Sequence, residues 1–393
     1  MRELLRMNRS HSERQLILLS AGTTARREDM REIAGRLIVE ADWPRLAETL
    51  RQRKLLPVLG PRILAMAAGS ASVGFVAAVE QALETGRRQG FFLQLISKRI
   101  MEMLADAGIR ASPLKGPSLA EALYGDLGRR LSSDIDLLVA PEQLTAAVSV
   151  VRELGYGAPT DHLDASGLPL LHFTLMHEQA ELPPVELHWR VHWYERSFAR
   201  DRLLSPTLDP MGQWRPDPVD EITALLLFYA RDGFIDVRLA VDLSAWWDVV
   251  GASLAPGALD DLVRVYPGLA RVVSAALNVT EHVVGLPATQ IVANKPKQSI
   301  RDRMAVRLAN PNPHSSVSQL YADKGLIDGL LMPQGDLGAF MRRQLLPPRE
   351  VLEERARHAQ KRRARSSLSR CFGVLGRYGL TLIRMAYRPE TLR

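Results

Sequence analysis

The stretch Ser132-Ser133-Asp134-Ile135-Asp136-Leu137-Leu138-Val139 constrains this chain more than any other. Two aspartates separated by one β-branched apolar residue inside an apolar run put both carboxylates on one face of a strand, because side chains alternate with period two. Sheltering two like charges is costly unless a cation compensates. Hard oxygen ligands suit Mg²⁺, which takes one or two carboxylates together with substrate phosphates. Further along, Pro183-Pro184-Val185-Glu186-Leu187-His188-Trp189 reads as a second strand with Glu186 on the face opposite Val185 and Leu187. Three carboxylates can then converge. By itself Asp-x-Asp is a weak pattern, since the same residues also cap the start of a strand or face solvent.

The surroundings sharpen the pattern. Upstream, a short strand ends at Lys115, Gly116 permits a tight turn, and Pro117 suits the first turn of a helix whose amides face an anion. Arg129 and Arg130 follow just before the acidic strand, where a guanidinium fork can hold a triphosphate in bidentate fashion. Each feature alone reads as surface decoration. The order of glycine turn, helix, arginine, Asp-x-Asp strand, helix and third acid on a strand is what makes them specific.

Leu114-Lys-Gly-Pro-Ser-Leu, Tyr124-Gly-Asp, Arg130-x-x-x-Asp134-Ile-Asp136-Leu-Leu-Val, Leu154-Gly-Tyr and Val185-Glu-Leu-His-Trp together resemble the uncharacterised bacterial nucleotidyltransferases of the DNA polymerase β superfamily. The resemblance is best over residues 90–250 and continues more weakly around Asp242 and Leu345–Arg349. It implies an α+β fold: a polymerase β-like nucleotidyltransferase core, a small mixed sheet with flanking helices, embedded between N-terminal and C-terminal helical regions. It also implies that Asp134 and Asp136 bind both catalytic metals, that Glu186 completes one metal site, and that the Lys115-Gly116 turn lies by the nucleotide. The turn departs from the superfamily's commonest form, with Gly116-Pro117-Ser118 in place of glycine followed by serine or glycine, and with a longer distance to Asp134.

On this reading the protein transfers a nucleoside monophosphate from an NTP, with ATP the expected donor, to a hydroxyl of a small molecule, peptide or protein, and releases pyrophosphate. Mg²⁺ or Mn²⁺ is the expected cofactor, since three acids without thiolates do not suit zinc. Lys115, Gly116 and Ser118 are expected at the β and γ phosphates, and Arg130 against their charge. His188 shares the strand face of Glu186, where it can bind phosphate, orient a carboxylate or assist proton transfer; a histidine hydrogen-bonded beside Trp189 is the plainer alternative. Two rival functions are an inactive nucleotidyltransferase-fold scaffold and a nucleic-acid-directed transferase. No Gly-x-Ser-x-Gly elbow or Walker-type loop supports a hydrolase or P-loop reading.

A chain of 393 residues buries a sizeable core and suggests two or three domains. Four segments are expected: a helical scaffold over 1–89, the catalytic core over 90–200, a helical domain closing the cleft over 201–340, and a basic helical tail over 341–393. The single cysteine, Cys371, excludes an intramolecular disulfide, and no leading apolar segment follows the basic start, so a cytoplasmic location is expected. From Arg342 to Arg393 the chain carries 14 lysines and arginines against 4 glutamates, while the overall net charge is +7, so the remainder is slightly acidic. This tail is either a solvated basic face or a contact for an acidic partner, a membrane surface or nucleic acid. A helix from Gly90 to Ala107 is expected to brace the sheet, Gly157–Pro169 to form an active-site loop or be disordered, and Ala293–Asn312 to be a linker or loop-rich region. Oligomeric state is not readable.

Overall fold

The computed structural model describes residues 2–159, 170–205, 207–208, 214–293, 300–309, 317–332, 376 and 379. The basic tail, apart from Gly376 and Gly379, and residues 160–169 of the expected active-site loop lie outside the described residues. The chain begins with helices α1 (Arg2–Ala21), α2 (Thr24–Asp29), α3 (Arg31–Val39), α4 (Trp43–Gln52) and α5 (Leu56–Ala67). Leu16, Leu46, Leu50, Leu59 and Ile63 are buried where these helices meet. This agrees with the helical reading of the N-terminal segment.

Helix α6 (Val73–Asp106) follows, and its C-terminal half packs against the sheet through Leu93, Ile100 and Leu104. It starts at a Ser72 cap, whose side chain accepts from the Phe75 amide, rather than at Gly90 as expected. Gly86 and Gly90 do not break it. They let the turn at Leu127–Arg129 press onto the helix: a Cβ at Gly86 would stand 2.4 Å from the Gly128 carbonyl oxygen, and one at Gly90 would stand 2.9 Å from Leu127 Cβ. These glycines mark close packing and not a helix start.

The sheet comprises β1 (Ala111–Pro113), β2 (Ile135–Val139), β3 (His172–Leu175) and β4 (Val185–His188), in the spatial order β1-β2-β4-β3. β2 and β4 are parallel; β1 pairs with β2, and β3 with β4, antiparallel. α7 (Pro117–Tyr124) connects β1 toward β2, and α8 (Leu144–Glu153) follows β2. Ile135, Leu137, Val139, Val185 and Leu187 form an apolar face against Leu93, Ile100 and Leu104 of α6 and Ala147 and Val151 of α8. Alternation then sends Asp136, Glu186 and His188 to the opposite face, and the register sets His172 beside His188 and Thr174 beside Glu186. One face supplies the core, the other the polar groups.

A two-stranded ribbon of β5 (Thr207–Leu208) and β6 (Trp214–Arg215) leads into a second helical body: α9 (Pro218–Arg231), α10 (Val237–Val250), α11 (Ala258–Val265), α12 (Ala270–Val284), α13 (Ala288–Ile291), α14 (Ile300–Leu308) and α15 (Val317–Leu331). α9 is buried from Asp220 to Ala230. Its two buried acids are matched by cations, Asp220 by Arg202 at 2.9 Å and Glu221 by Arg215. α14 corrects the expected linker between Ala293 and Asn312. Its polar composition conceals Ala305 and Leu308, which are buried, and it packs against α12 and α15. Among the described residues no helix is long and apolar enough to cross a membrane.

Candidate active site

Asp136 of β2 and Glu186 of β4 are register partners in the parallel pair, and Asp134 stands one residue before β2. One carboxylate oxygen from each of the three lies within 4.8 Å of the others. The convergence read from alternation therefore exists, and it needs the parallel β2–β4 pairing, which places Glu186 beside Asp136 instead of across the sheet.

The Leu114 amide donates to the Asp136 carbonyl at 3.1 Å, extending the β1–β2 pairing and turning Lys115 toward the acids. Lys115 Nζ lies 3.0 Å from Asp136 Oδ1. His188, fully buried, aims Nε2 between Asp136 Oδ1 at 3.0 Å and Glu186 Oε2 at 3.2 Å. Burial by itself would push the Asp136 carboxyl up, but Lys115 and His188 outweigh it and hold the group well below the usual carboxylate range. Glu186 is likewise lowered: burial opposes the charge, and the His188 hydrogen bond prevails. Asp134 is raised, first by burial and then by its neighbour Asp136. Lys115 is raised because the three acids overcome its own burial. Three carboxylates against one ammonium leave a negative excess in a half-sheltered cleft, with all donors hard oxygens. That donor set fits a divalent cation of the Mg²⁺ class.

Gly116 has φ 88° and ψ −143°, a backbone conformation open essentially to glycine alone, and it stands at the N-terminal end of α7. Ser118, in the first turn of that helix, lines a cavity together with Lys115, Leu203, Arg215 and Glu221. Lys115 Nζ also sits 5.2 Å from the centre of the Phe228 ring, and Arg231 Cζ lies 4.8 Å from the same ring. Both cations are seated by one aromatic side chain of α9. Arg231 Nη1 is buried with no hydrogen-bond partner among the described residues. Sequence reasoning passed over Arg231; its signal is a cation closing the long apolar run of α9.

Arg130 is placed differently from the other expected phosphate ligands. Its Nε donates to Asp242 Oδ2 at 2.8 Å and its Nη1 to Ser132 Oγ at 2.8 Å, while the Tyr124 hydroxyl donates to Asp242 Oδ1 at 2.8 Å. Asp242 of α10 thus ties the segment before β2 to the second helical body. Arg238 pairs with Asp236 and donates to the Leu131 carbonyl at 3.3 Å, and Asp232 lies 3.7 Å from Arg231 Nε. His192 does not join the acids. It belongs to a buried turn whose amides at Val191, His192 and Ala199 donate to the Glu195 carboxylate.

No curated protein and no solved structure matches the chain. A sequence profile described as uncharacterised nucleotidyltransferase matches residues 39–285, more than half of the chain. The matched span holds all four strands of the sheet, the Lys115-Gly116 turn, α7, and the α9 and α10 residues that face them. The chain belongs to the uncharacterised nucleotidyltransferase family.

Proposed function

We propose that the protein is a metal-dependent nucleotidyltransferase that moves a nucleoside monophosphate from an NTP, with ATP the expected donor, to a hydroxyl-bearing acceptor. The observation that carries this reading is the pairing of Asp136 with Glu186 on neighbouring parallel strands, with Asp134 completing a cluster of oxygens within 4.8 Å. Asp134, Asp136 and Glu186 would hold Mg²⁺ or Mn²⁺, which when bound neutralises phosphate charge and acidifies an acceptor hydroxyl. His188 keeps two of the carboxylates oriented and ionised. Lys115 exchanges Asp136 for phosphate oxygens when nucleotide enters, and Arg231 supplies a second cation from α9. The Gly116 turn and Ser118 bring the start of α7 to the same phosphates. Arg130 acts at a distance, by fixing the Ser132 segment and Asp242.

The test is calorimetric titration of each NTP, with and without Mg²⁺, into the wild type and Asp136→Asn. Binding of one NTP that requires metal and is lost in the variant supports the reading and names the donor. No metal-dependent binding of any NTP overturns it, and leaves a binding or scaffold protein on a nucleotidyltransferase fold.

A further inference from the structure

The polar face of the sheet carries a second ligand set that overlaps the oxygen cluster only at Glu186. His172 of β3 and His188 of β4 are cross-strand partners, and Glu186 lies on the same face two residues from His188. Their rings stand 4.6 Å apart and tilted by 37°. Both aim Nε2 at one atom: Glu186 Oε2 is 3.2 Å from His188 Nε2 and 3.7 Å from His172 Nε2. One donor atom from each of the three residues falls within 4.8 Å of the others.

We infer that His172, Glu186 and His188 form a site for a borderline transition-metal dication of the Zn²⁺ or Co²⁺ class, next to the oxygen-only cluster. Metal–ligand bonds of about 2.0–2.1 Å in a tetrahedral arrangement separate ligand atoms by roughly 3.4 Å, which the two nitrogen-to-oxygen spacings bracket. Two imidazoles with one carboxylate suit such ions and do not suit Mg²⁺. Asp136 Oδ1, 3.0 Å from His188 Nε2, is within reach as a fourth ligand.

His172 is the residue that demands an explanation. At 3.7 Å its Nε2 is too far from Glu186 for a hydrogen bond, and its Nδ1 is buried with no partner among the described residues. The Nδ1 of His188 is in the same condition. Neither the ladder nor the core requires an imidazole at position 172, while a shared ion gives it a function. Its side chain retains 28% exposure, so an ion can arrive from solvent without opening the sheet.

The inference goes beyond the proposed transferase and shares Glu186, His188 and at most Asp136 with it, while His172 belongs to the inferred site alone and Asp134 to the transferase alone, so the two can fail separately. Chelator-stripped full-length protein is titrated with CoCl₂ and followed by visible d–d absorption, then with ZnCl₂ by calorimetry, for wild type, His172→Ala and Asp134→Asn. The expected result is one tight Co²⁺ or Zn²⁺ per chain in wild type and in Asp134→Asn. His172→Ala should lose more than the roughly ten- to hundredfold that removing a supporting hydrogen bond costs a metal site, and should keep Mg²⁺-dependent NTP binding. Long-range ¹⁵N–¹H spectra of wild type provide a readout that needs no variant: Zn²⁺ should shift the Nε2 resonances of His172 and His188 and no others. Equal affinity in His172→Ala, loss in Asp134→Asn, unshifted imidazole nitrogens, or no Co²⁺ binding would each overturn the site. With Mg²⁺–NTP binding intact, these outcomes sink this inference alone. Loss of NTP binding with a preserved Co²⁺ spectrum sinks the transferase alone.

Discussion

The Lys115 ammonium stands 3.0 Å from Oδ1 of Asp136, so a residue assigned to phosphate and a residue assigned to metal neutralise each other in the free protein. Removing the ammonium should separate these two roles. In Lys115→Met, Asp136 loses its main compensating charge and competes better for a bare dication, so Mn²⁺ affinity measured by electron paramagnetic resonance should rise about tenfold, or about 1.4 kcal/mol. NTP affinity measured by calorimetry in the presence of Mg²⁺ should fall at least as much. A parallel fall in both would mean that Lys115 only maintains the local fold.

Asp242 joins the two bodies of the protein by accepting from both Tyr124 and Arg130, with 2% of its own side chain and 10% of Arg130's exposed. Truncating one partner of a buried pair leaves the other charge uncompensated. Asp242→Asn should therefore lower unfolding free energy by about 3 kcal/mol in urea denaturation. The folded fraction should still bind NTP with Mg²⁺ at wild-type affinity, since on this reading neither Asp242 nor Arg130 touches the phosphates. A large loss of nucleotide affinity without a loss of stability would return Arg130 to the phosphates.

What the sequence disclosed of this site was local. Alternation about Ile135 placed Asp134 and Asp136 on one face, and the Gly116-Pro117 turn placed Lys115, because both are set by backbone geometry over a few residues. Which strands pair was not read at all, because the register of β2 against β4 is set by contacts far apart in the chain; the meeting of the three acids was read only as possible. Arg231 was missed, since a cation at a helix end looks solvated until the ring of Phe228 is seen beneath it. His172 was missed for a related reason, because its meaning depends on a cross-strand partner on β4. Gly90 misled, being read as the start of a helix when, with Gly86, it allows a backbone turn to touch the helix's middle.

His192 is buried and held neutral, its pKa brought down to about 3 by burial first and then by Arg231 and Lys324. An unfolded histidine titrates near 6.5, so between these values the unfolded chain binds more protons than the folded one. This group's contribution to stability is therefore complete above about pH 6.5 and is lost as pH falls, by up to about 1.4 kcal/mol per unit. Glu195 acts in the opposite sense: burial pushes its carboxyl up to about 7, so it favours the folded state less as pH rises from about 4.5 to 7. Subtracting the unfolding free energy of His192→Phe from that of wild type isolates the histidine. The difference should climb from pH 4 to 6.5 and be level above pH 7.5. A difference that is flat throughout would mean that His192 binds protons alike in the folded and unfolded chain, as a solvated imidazole does, and one that falls with pH would mean that the folded protein keeps it protonated.

Arg231 presents a buried Nη1 with no partner among the described residues, on a guanidinium seated over Phe228 beside Lys115. Charged donors held this way cost free energy until an anion arrives, and a hydrogen bond to a charged group contributes about 1.5–3 kcal/mol. Arg231→Gln should thus weaken Mg²⁺–NTP binding by roughly ten- to a hundredfold. Bare Mn²⁺ affinity should hold or rise, because the guanidinium repels a dication. Inorganic tripolyphosphate should show the same loss as NTP if the contact is to phosphate, and no loss if Arg231 reads the base or sugar. Phe228→Leu provides the companion measurement, since it removes the surface that seats both cations and should lower NTP affinity while leaving Asp134, Asp136 and Glu186 in place. Unchanged affinity in Arg231→Gln with a lowered melting temperature would restrict the residue to packing on Phe228.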